Sequence, residues 1–208
     1  MESVRAWRKQ SMTSSTQQGK RVVLYTIPNL LTFFRILAIP GIIISLYTNS
    51  FWGNWVAFGF YIIASVTDFF DGYIARVMRQ TSMFGKFLDP IADKLLVSAI
   101  LIAYAGLDRL MNWHLIPVIL IVCREIFISG LREFLSDYQI RISVSQLGKW
   151  KTTVQMLSLG FLMIYPSVPS CGMIKPIGLG LLWVSTILTI WSGASYLLWA
   201  LRETRKAH

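Results

Sequence analysis

Charge is scarce in this sequence. Acidic and basic residues make up 14% of its 208 positions, and only ten of them are acidic, whereas hydrophobic residues make up 54%. Mean hydropathy is +0.55. A soluble domain carries nearer a quarter of charged residues, so water is excluded as the main solvent and there is no room for a soluble domain. Histidine and cysteine are equally thin, with two of each. Cys123 and Cys171 stand too far apart to form a recognisable disulfide framework and neither belongs to a metal-spaced pair, so no chemistry is assigned to them. His114 lies far from every acidic cluster, which excludes it as an acid or base. Internal repeats and low-complexity tracts are absent. The polar, Ser/Thr/Gln-rich stretch Met1 to Gly19 has no apolar core before a cleavage site and is read as a disordered extension, not a signal peptide.

The apolar residues fall instead in long blocks, several approaching the roughly 20 residues needed to cross a hydrocarbon core of about 30 Å. In lipid the backbone must satisfy its own hydrogen bonds, which demands helices. Six spans are predicted: Pro28 to Thr48, Trp52 to Ala75, Gly85 to Leu107, Leu115 to Leu135, Lys149 to Tyr165 and Pro176 to Leu201. Lys20 to Thr26 mixes Lys20 and Arg21 with Val22, Val23, Leu24 and Tyr25, as an interfacial amphipathic helix would. The expected fold is therefore an all-α integral membrane protein of six transmembrane helices in one domain, 20–202, with a tail at 203–208. Trp52, Trp55, Trp113, Trp150 and Trp199 are expected as anchors at the membrane interfaces.

A formal net charge of +10 would suggest nucleic acid in a soluble protein. Its distribution argues otherwise. Most Lys and Arg lie before the first span, between spans two and three, between four and five, and in the tail, and six spans put those regions on one side. The opposite loops hold only Arg109 and Lys175. The positive-inside rule then places both termini in the cytoplasm, and the basic excess reads as topology and attraction to lipid headgroups, with no nucleic-acid partner.

Four of the ten acidic residues, Asp68, Asp71, Asp89 and Asp93, crowd around the loop between spans two and three. Carboxylates near hydrocarbon cost several kcal/mol unless paired or metal-bound, so solvated helix ends are the weaker explanation. Spacings of i, i+3 and i, i+4 put each pair on one helical face, and two antiparallel helices would gather all four. Hard divalent cations, Mg²⁺ or Mn²⁺, suit such an all-oxygen site, and four carboxylates suit two of them. Gly72 and Ala75 share that face. They either open a slot for a flat base or a diphosphate, or simply allow close helix packing. Arg76, Arg79 and Lys86 add cations at the same depth, as a phosphate-rich ligand would require.

The run Asp68, Phe69, Phe70, Asp71, Gly72, Tyr73, Ile74, Ala75, Arg76, then eight residues, Gly85, three residues, Asp89, three residues and Asp93 resembles the CDP-alcohol phosphatidyltransferase signature in residue types and spacing. The resemblance implies six transmembrane helices, usually as a homodimer, and a binuclear metal site on the cytoplasmic side. It further implies that Asp68, Asp71 and Asp89, helped by Asp93, hold the two metals against the diphosphate of CDP-diacylglycerol. Asp93 would be the general base and CMP the leaving group. Gly72 and Ala75 would face the cytidine and Arg76 the diphosphate, while Asn29, Thr32 and Arg35 would line the nucleotide side of the cavity.

That signature is common to enzymes with different acceptor alcohols. Ile27 to Arg35, the pair Arg124 and Glu125 followed by Gly130 to Arg132, and Gly148 to Gln155 are similar to the bacterial branch of the family that uses sn-glycerol 3-phosphate, in the inner membrane. A phosphorylated acceptor needs cations beyond those at the metals. Arg124 and Lys149 are the first candidates, with Lys149 preferred to Lys151, and Arg132 meets lipid or acceptor phosphate at the surface. Arg124 could instead serve as a structural pair with Glu125, and Lys149 and Lys151 as snorkelling anchors. A sister transferase acting on inositol phosphate would share every metal ligand. A membrane cation transporter would carry its carboxylates near mid-membrane between repeats, and a catalytically dead scaffold would have lost a ligand; neither pattern is present.

Overall fold

The computed structural model describes the backbone of residues 27–78, 83–137 and 146–206 and, within these, the side chains of 30–67, 88, 91–135 and 148–202. The N-terminal extension and the interfacial helix expected before Thr26 lie outside the described residues. Six α-helices make up the described chain: α1 Ile27–Tyr47, α2 Phe51–Met78, α3 Met83–Gly106, α4 Leu115–Asp137, α5 Gln146–Ile164 and α6 Ile174–Lys206. Short 3-10 turns, Asn112–His114 and Tyr165–Ser167, precede α4 and follow α5. No strand occurs among the described residues. The six helices fall where the six apolar blocks predict them, with ends a few residues apart.

Apolar residues surround each helix and do not gather on one side. On α1, Thr32, Arg35, Ile39, Ile42 and Leu46 form a buried row at spacings of three and four, yet Leu30, Phe33, Leu37 and Ile44 are exposed on the other faces. The same holds outward on α4 and α6, where Ile126 is 68% and Trp191 65% exposed. Apolar surface running the length of whole helices far exceeds what a water-soluble monomer shows. Among the described residues three stretches, Leu30–Tyr47, Asn112–Leu135 and Ile174–Arg202, are long and apolar enough to cross a membrane, while the apolar part of α2 is the shorter Phe51–Thr67. The protein is membrane-embedded, with lipid as the solvent of these outer faces.

Between the helices small residues and backbone acceptors do the joining. α1 packs on both α2 and α3, α5 most extensively on α6, α4 on α6, and α2 on α5. Ala57, Tyr61 and Ala64 bury one face of α2, and Tyr61 Oη donates to the Met156 carbonyl on α5 at 2.8 Å. Ser158 Oγ on α5 donates to the Gly178 carbonyl on α6 at 2.8 Å, where a Cβ on Gly178 would stand 3.1 Å from Leu162. Such close approach suits association in lipid, where hydrophobic collapse gives no drive.

One end of the bundle is tied by Arg109, which follows α3 and is buried. Its Nη2 donates to Asn54 Oδ1 at 2.7 Å, to Asn49 Oδ1 at 3.3 Å and to the Leu46 carbonyl at 3.5 Å. The guanidinium also stands 5.8 Å from the Tyr104 ring centre. Arg109 thus joins the end of α3 to the α1–α2 turn, where Asn49 adopts φ 45°. Gly53 is obligatory beside that turn: a Cβ there would strike Thr48 Oγ1 and lie 2.6 Å from the Ser45 carbonyl oxygen. With this end closed, the polar groups described next gather at the opposite one.

Candidate active site

Alternation of six helices brings the starts of α1, α3 and α5 to the same end as the finishes of α2, α4 and α6. The aspartate motif occupies that end: Asp68 and Asp71 lie in the C-terminal half of α2, and Asp89 and Asp93 stand one turn apart near the start of α3. The side chains of Asp68, Asp71, Gly72, Ala75, Arg76, Asp89 and Asn29 lie outside the described residues. Asp93 is described. Its Oδ1 accepts a hydrogen bond from Arg35 Nη1 at 2.5 Å, and its side chain is 46% exposed against 1% for Arg35. The pairing places Arg35 at the last aspartate of the motif. Thr32, one turn earlier on α1, is buried in the same row.

Beside Asp93 a cavity of about 390 Å³ opens among α3, α4 and α5, within the roughly 300–1,000 Å³ usual for small-molecule sites. Helical phase builds its walls. α5 contributes Gly148, Lys151, Thr152 and Gln155, spaced i, i+3, i+4, i+7 along one face. α4 contributes Arg124, Glu125, Ile128, Ser129 and Arg132, and α3 contributes Asp93, Lys94 and Val97. Four cations, Lys94, Arg124, Arg132 and Lys151, face two carboxylates, Asp93 and Glu125, so the lining carries a formal excess of two positive charges. In a low-dielectric bundle that excess calls for an anion.

Glu125 organises the lining. Its Oε1 accepts from Lys151 Nζ and, at 3.3 Å, from Arg124 Nη1, so one carboxylate steadies cations from two helices. Arg124 Nη2 donates to Ser192 Oγ on α6 at 3.0 Å. Lys94 Nζ donates to Ser129 Oγ, whose own proton goes to the Glu125 carbonyl at 2.8 Å. The two expectations for Arg124, acceptor binding and pairing with Glu125, are therefore compatible: the pair holds the guanidinium at the cavity wall.

Of the four residues expected for an acceptor phosphate, the structure brings Arg124, Arg132 and Lys151 together and leaves Lys149 out. Lys149 is exposed, while Lys151 is 6% exposed and lines the cavity. Residues two positions apart on a helix differ by about 200° in direction, so only one of these lysines can face inward. The phase of Lys151 is that of Gly148, Thr152 and Gln155, which line the same cavity, so the structure favours Lys151 where the sequence reading prefers Lys149. Lys94 was missed altogether, although it adjoins Asp93. His114 accepts from Trp183 Nε1 at 3.3 Å at the other end of the bundle. Among the described residues no cluster of three or more His, Cys, Asp or Glu could hold a metal ion, since only Asp93 of the motif has a described side chain.

Comparison with known proteins bears on this arrangement as a whole. The family model for CDP-alcohol phosphatidyltransferase matches residues 25–191, which takes in α1 to α5 and most of α6. The chain is similar to the CDP-diacylglycerol–glycerol-3-phosphate 3-phosphatidyltransferase of Cereibacter sphaeroides, with 38% identity over 207 residues covering 83% of this chain and 94% of that protein. It shares 43% identity over 170 residues with the protein of that name from Rickettsia bellii, covering 82% and 92% of the two. With CDP-diacylglycerol–glycerol-3-phosphate 3-phosphatidyltransferase 2 of Arabidopsis thaliana it shares 39% over 197 residues, covering 89% and 83%. An intact aspartate motif at the end of α2 and the start of α3, beside a cation-lined cavity, and a match over most of its length make this chain a member of the CDP-alcohol phosphatidyltransferase family.

Proposed function

We propose that the protein transfers the phosphatidyl group of CDP-diacylglycerol to sn-glycerol 3-phosphate, giving phosphatidylglycerol phosphate and CMP. The observation that carries this reading is the cavity beside Asp93, whose four cations against two carboxylates leave an excess of two positive charges. A phosphate monoester carries about 1.5 to 2 negative charges at neutral pH and matches that excess. An inositol or other alcohol without phosphate would leave it uncompensated. The names of the three relatives above agree with the phosphorylated acceptor.

In the proposed reaction Arg124, Arg132, Lys151 and Lys94 hold the acceptor phosphate by charge-assisted hydrogen bonds. The acceptor hydroxyl then meets Asp93, which takes its proton as the oxygen bonds to the β-phosphorus of the donor. The bond from that phosphorus to CMP breaks and CMP leaves with its electron pair. Arg35 keeps the Asp93 carboxylate oriented from behind, an alternative to its expected place on the nucleotide side. Gly72, Ala75 and Arg76, with Asn29 and Thr32, are assigned to the cytidine diphosphate.

Asp68, Asp71, Asp89 and Asp93 form a donor set of carboxylate oxygens alone, which fits a hard divalent ion, and α2 and α3 each carry two of them within one turn. When bound, two Mg²⁺ or Mn²⁺ ions would neutralise the charge of the diphosphate. We place the cavity and both termini on the cytoplasmic side of a bacterial inner membrane, with six spans and a homodimeric assembly.

The test is product analysis with purified protein, CDP-diacylglycerol and a panel of acceptors. Phosphatidylglycerol phosphate formed from sn-glycerol 3-phosphate, with CMP released in equal amount, is expected. Preferential use of inositol phosphate or of an uncharged alcohol would overturn the acceptor assignment and leave the family unaffected.

A further inference from the structure

The two cavity arginines are held from behind by residues that no motif marks. Ser192, Gly193 and Tyr196 lie on one face of α6 at helical spacing, and all three follow residue 191, where the family match ends. Ser192 Oγ accepts from Arg124 Nη2 at 3.0 Å while donating its proton to the Thr189 carbonyl at 3.1 Å. Its hydroxyl is committed to the helix backbone, so it can only accept from the guanidinium. Arg124 lies across the bare Cα of Gly193, where a Cβ would stand 3.3 Å from both its Cγ and its Nε. That Nε is buried and has no hydrogen-bond partner among the described residues, so packing holds it in place. One turn on, Arg132 Cζ stands 6.0 Å from the Tyr196 ring centre, and the buried Tyr196 hydroxyl has no partner among the described residues. The ring is what is used.

We infer that this face of α6 fixes the positions of Arg124 and Arg132 and thereby sets how strictly a phosphorylated acceptor is required. Ser192, Gly193 and Tyr196 are positioning residues, and the inference rests on the reading of the cavity as the acceptor site. A forked guanidinium binds a phosphate well only at the right angle and depth, so a shift of a few tenths of an ångström behind it is felt at the ligand. Placing this control beyond the shared aspartate motif separates acceptor choice from donor chemistry.

Steady-state kinetics on the purified full chain, with each substrate varied in turn, test it. Gly193→Ala and Ser192→Ala are expected to raise KM for sn-glycerol 3-phosphate about three- to ten-fold and to leave donor KM within about two-fold. Each should add little in an Arg124→Ala background, because it acts through Arg124. Tyr196→Leu should raise the same KM, and Tyr196→Phe, which keeps the ring, should restore it. Alanine has the higher helix propensity, so a loss in Gly193→Ala does not come from a weaker helix. If packing prevents that variant from folding, Ser192→Ala, which removes only an oxygen, carries the test. Folded α6 variants with unchanged acceptor KM, beside an Arg124→Ala variant that raises it, would overturn the inference while sparing the acceptor site. An unchanged acceptor KM in Arg124→Ala itself would overturn both.

Discussion

Arg35 and Asp93 meet across 58 positions of sequence, Nη1 to Oδ1 at 2.5 Å, and join α1 to the last aspartate of the motif on α3. The arginine is almost fully buried, whereas the Asp93 side chain is about half exposed. Asp93 therefore has one oxygen engaged by Arg35 while its side chain lines the cavity. Asparagine at 93 still offers an oxygen to Arg35 but cannot take a proton. Asp93→Asn is expected to fold with a lowered unfolding midpoint, because the buried guanidinium loses the Asp93 charge, and to lose about 10²- to 10⁴-fold in kcat at temperatures where it is folded. Arg35→Ala removes the ion pair that orients the carboxylate and should lower kcat with stability reduced by about 1 to 3 kcal/mol, since the half-exposed partner keeps some water. Wild-type kcat in Asp93→Asn would remove it as the base.

Metal dependence follows from the all-carboxylate donor set. Turnover should vanish in excess EDTA and return with Mg²⁺ or Mn²⁺. Asp68→Asn and Asp89→Asn should raise the metal concentration needed for half-maximal rate, measured by titrating the stripped protein. Full activity in excess chelator would contradict the assignment.

Arg109 offers the opposite behaviour, because its partners Asn54, Asn49 and Leu46 lie at the far end of the bundle. Arg109→Ala leaves two asparagine side chains and a helix-end carbonyl short of a donor. Stability in detergent is expected to fall by about 1 to 3 kcal/mol, with KM for both substrates unchanged at temperatures where the variant is folded. An acceptor KM that moved with Arg109 would mean the two ends of the bundle are coupled.

Much of this arrangement was legible in the sequence. Apolar blocks located the helices because lipid demands continuous runs, and fixed spacing gave the aspartate motif because its chemistry is set within one or two turns. What was not legible depends on tertiary contact. Nothing local links Arg35 to Asp93, and nothing in the order of residues shows Ser192 or Gly193 beneath Arg124. The choice between Lys149 and Lys151 lies between these cases. Charge and proximity to the helix start do not separate them, but the polar row Gly148, Lys151, Thr152, Gln155 does, once helical phase is applied.

Those two lysines give the most direct test of the central claim that the cavity among α3, α4 and α5 holds the acceptor phosphate. They share a charge, a helix and an end of the bundle, yet only Lys151 lines the cavity. The measurement is KM for sn-glycerol 3-phosphate in Lys151→Ala and Lys149→Ala, with donor KM and unfolding midpoint recorded for each. Loss of one charge-assisted contact should raise acceptor KM about ten- to a hundred-fold in Lys151→Ala and less than about two-fold in Lys149→Ala, with donor KM unchanged in both. An unchanged acceptor KM in folded Lys151→Ala, or a larger effect from Lys149→Ala, would contradict the account.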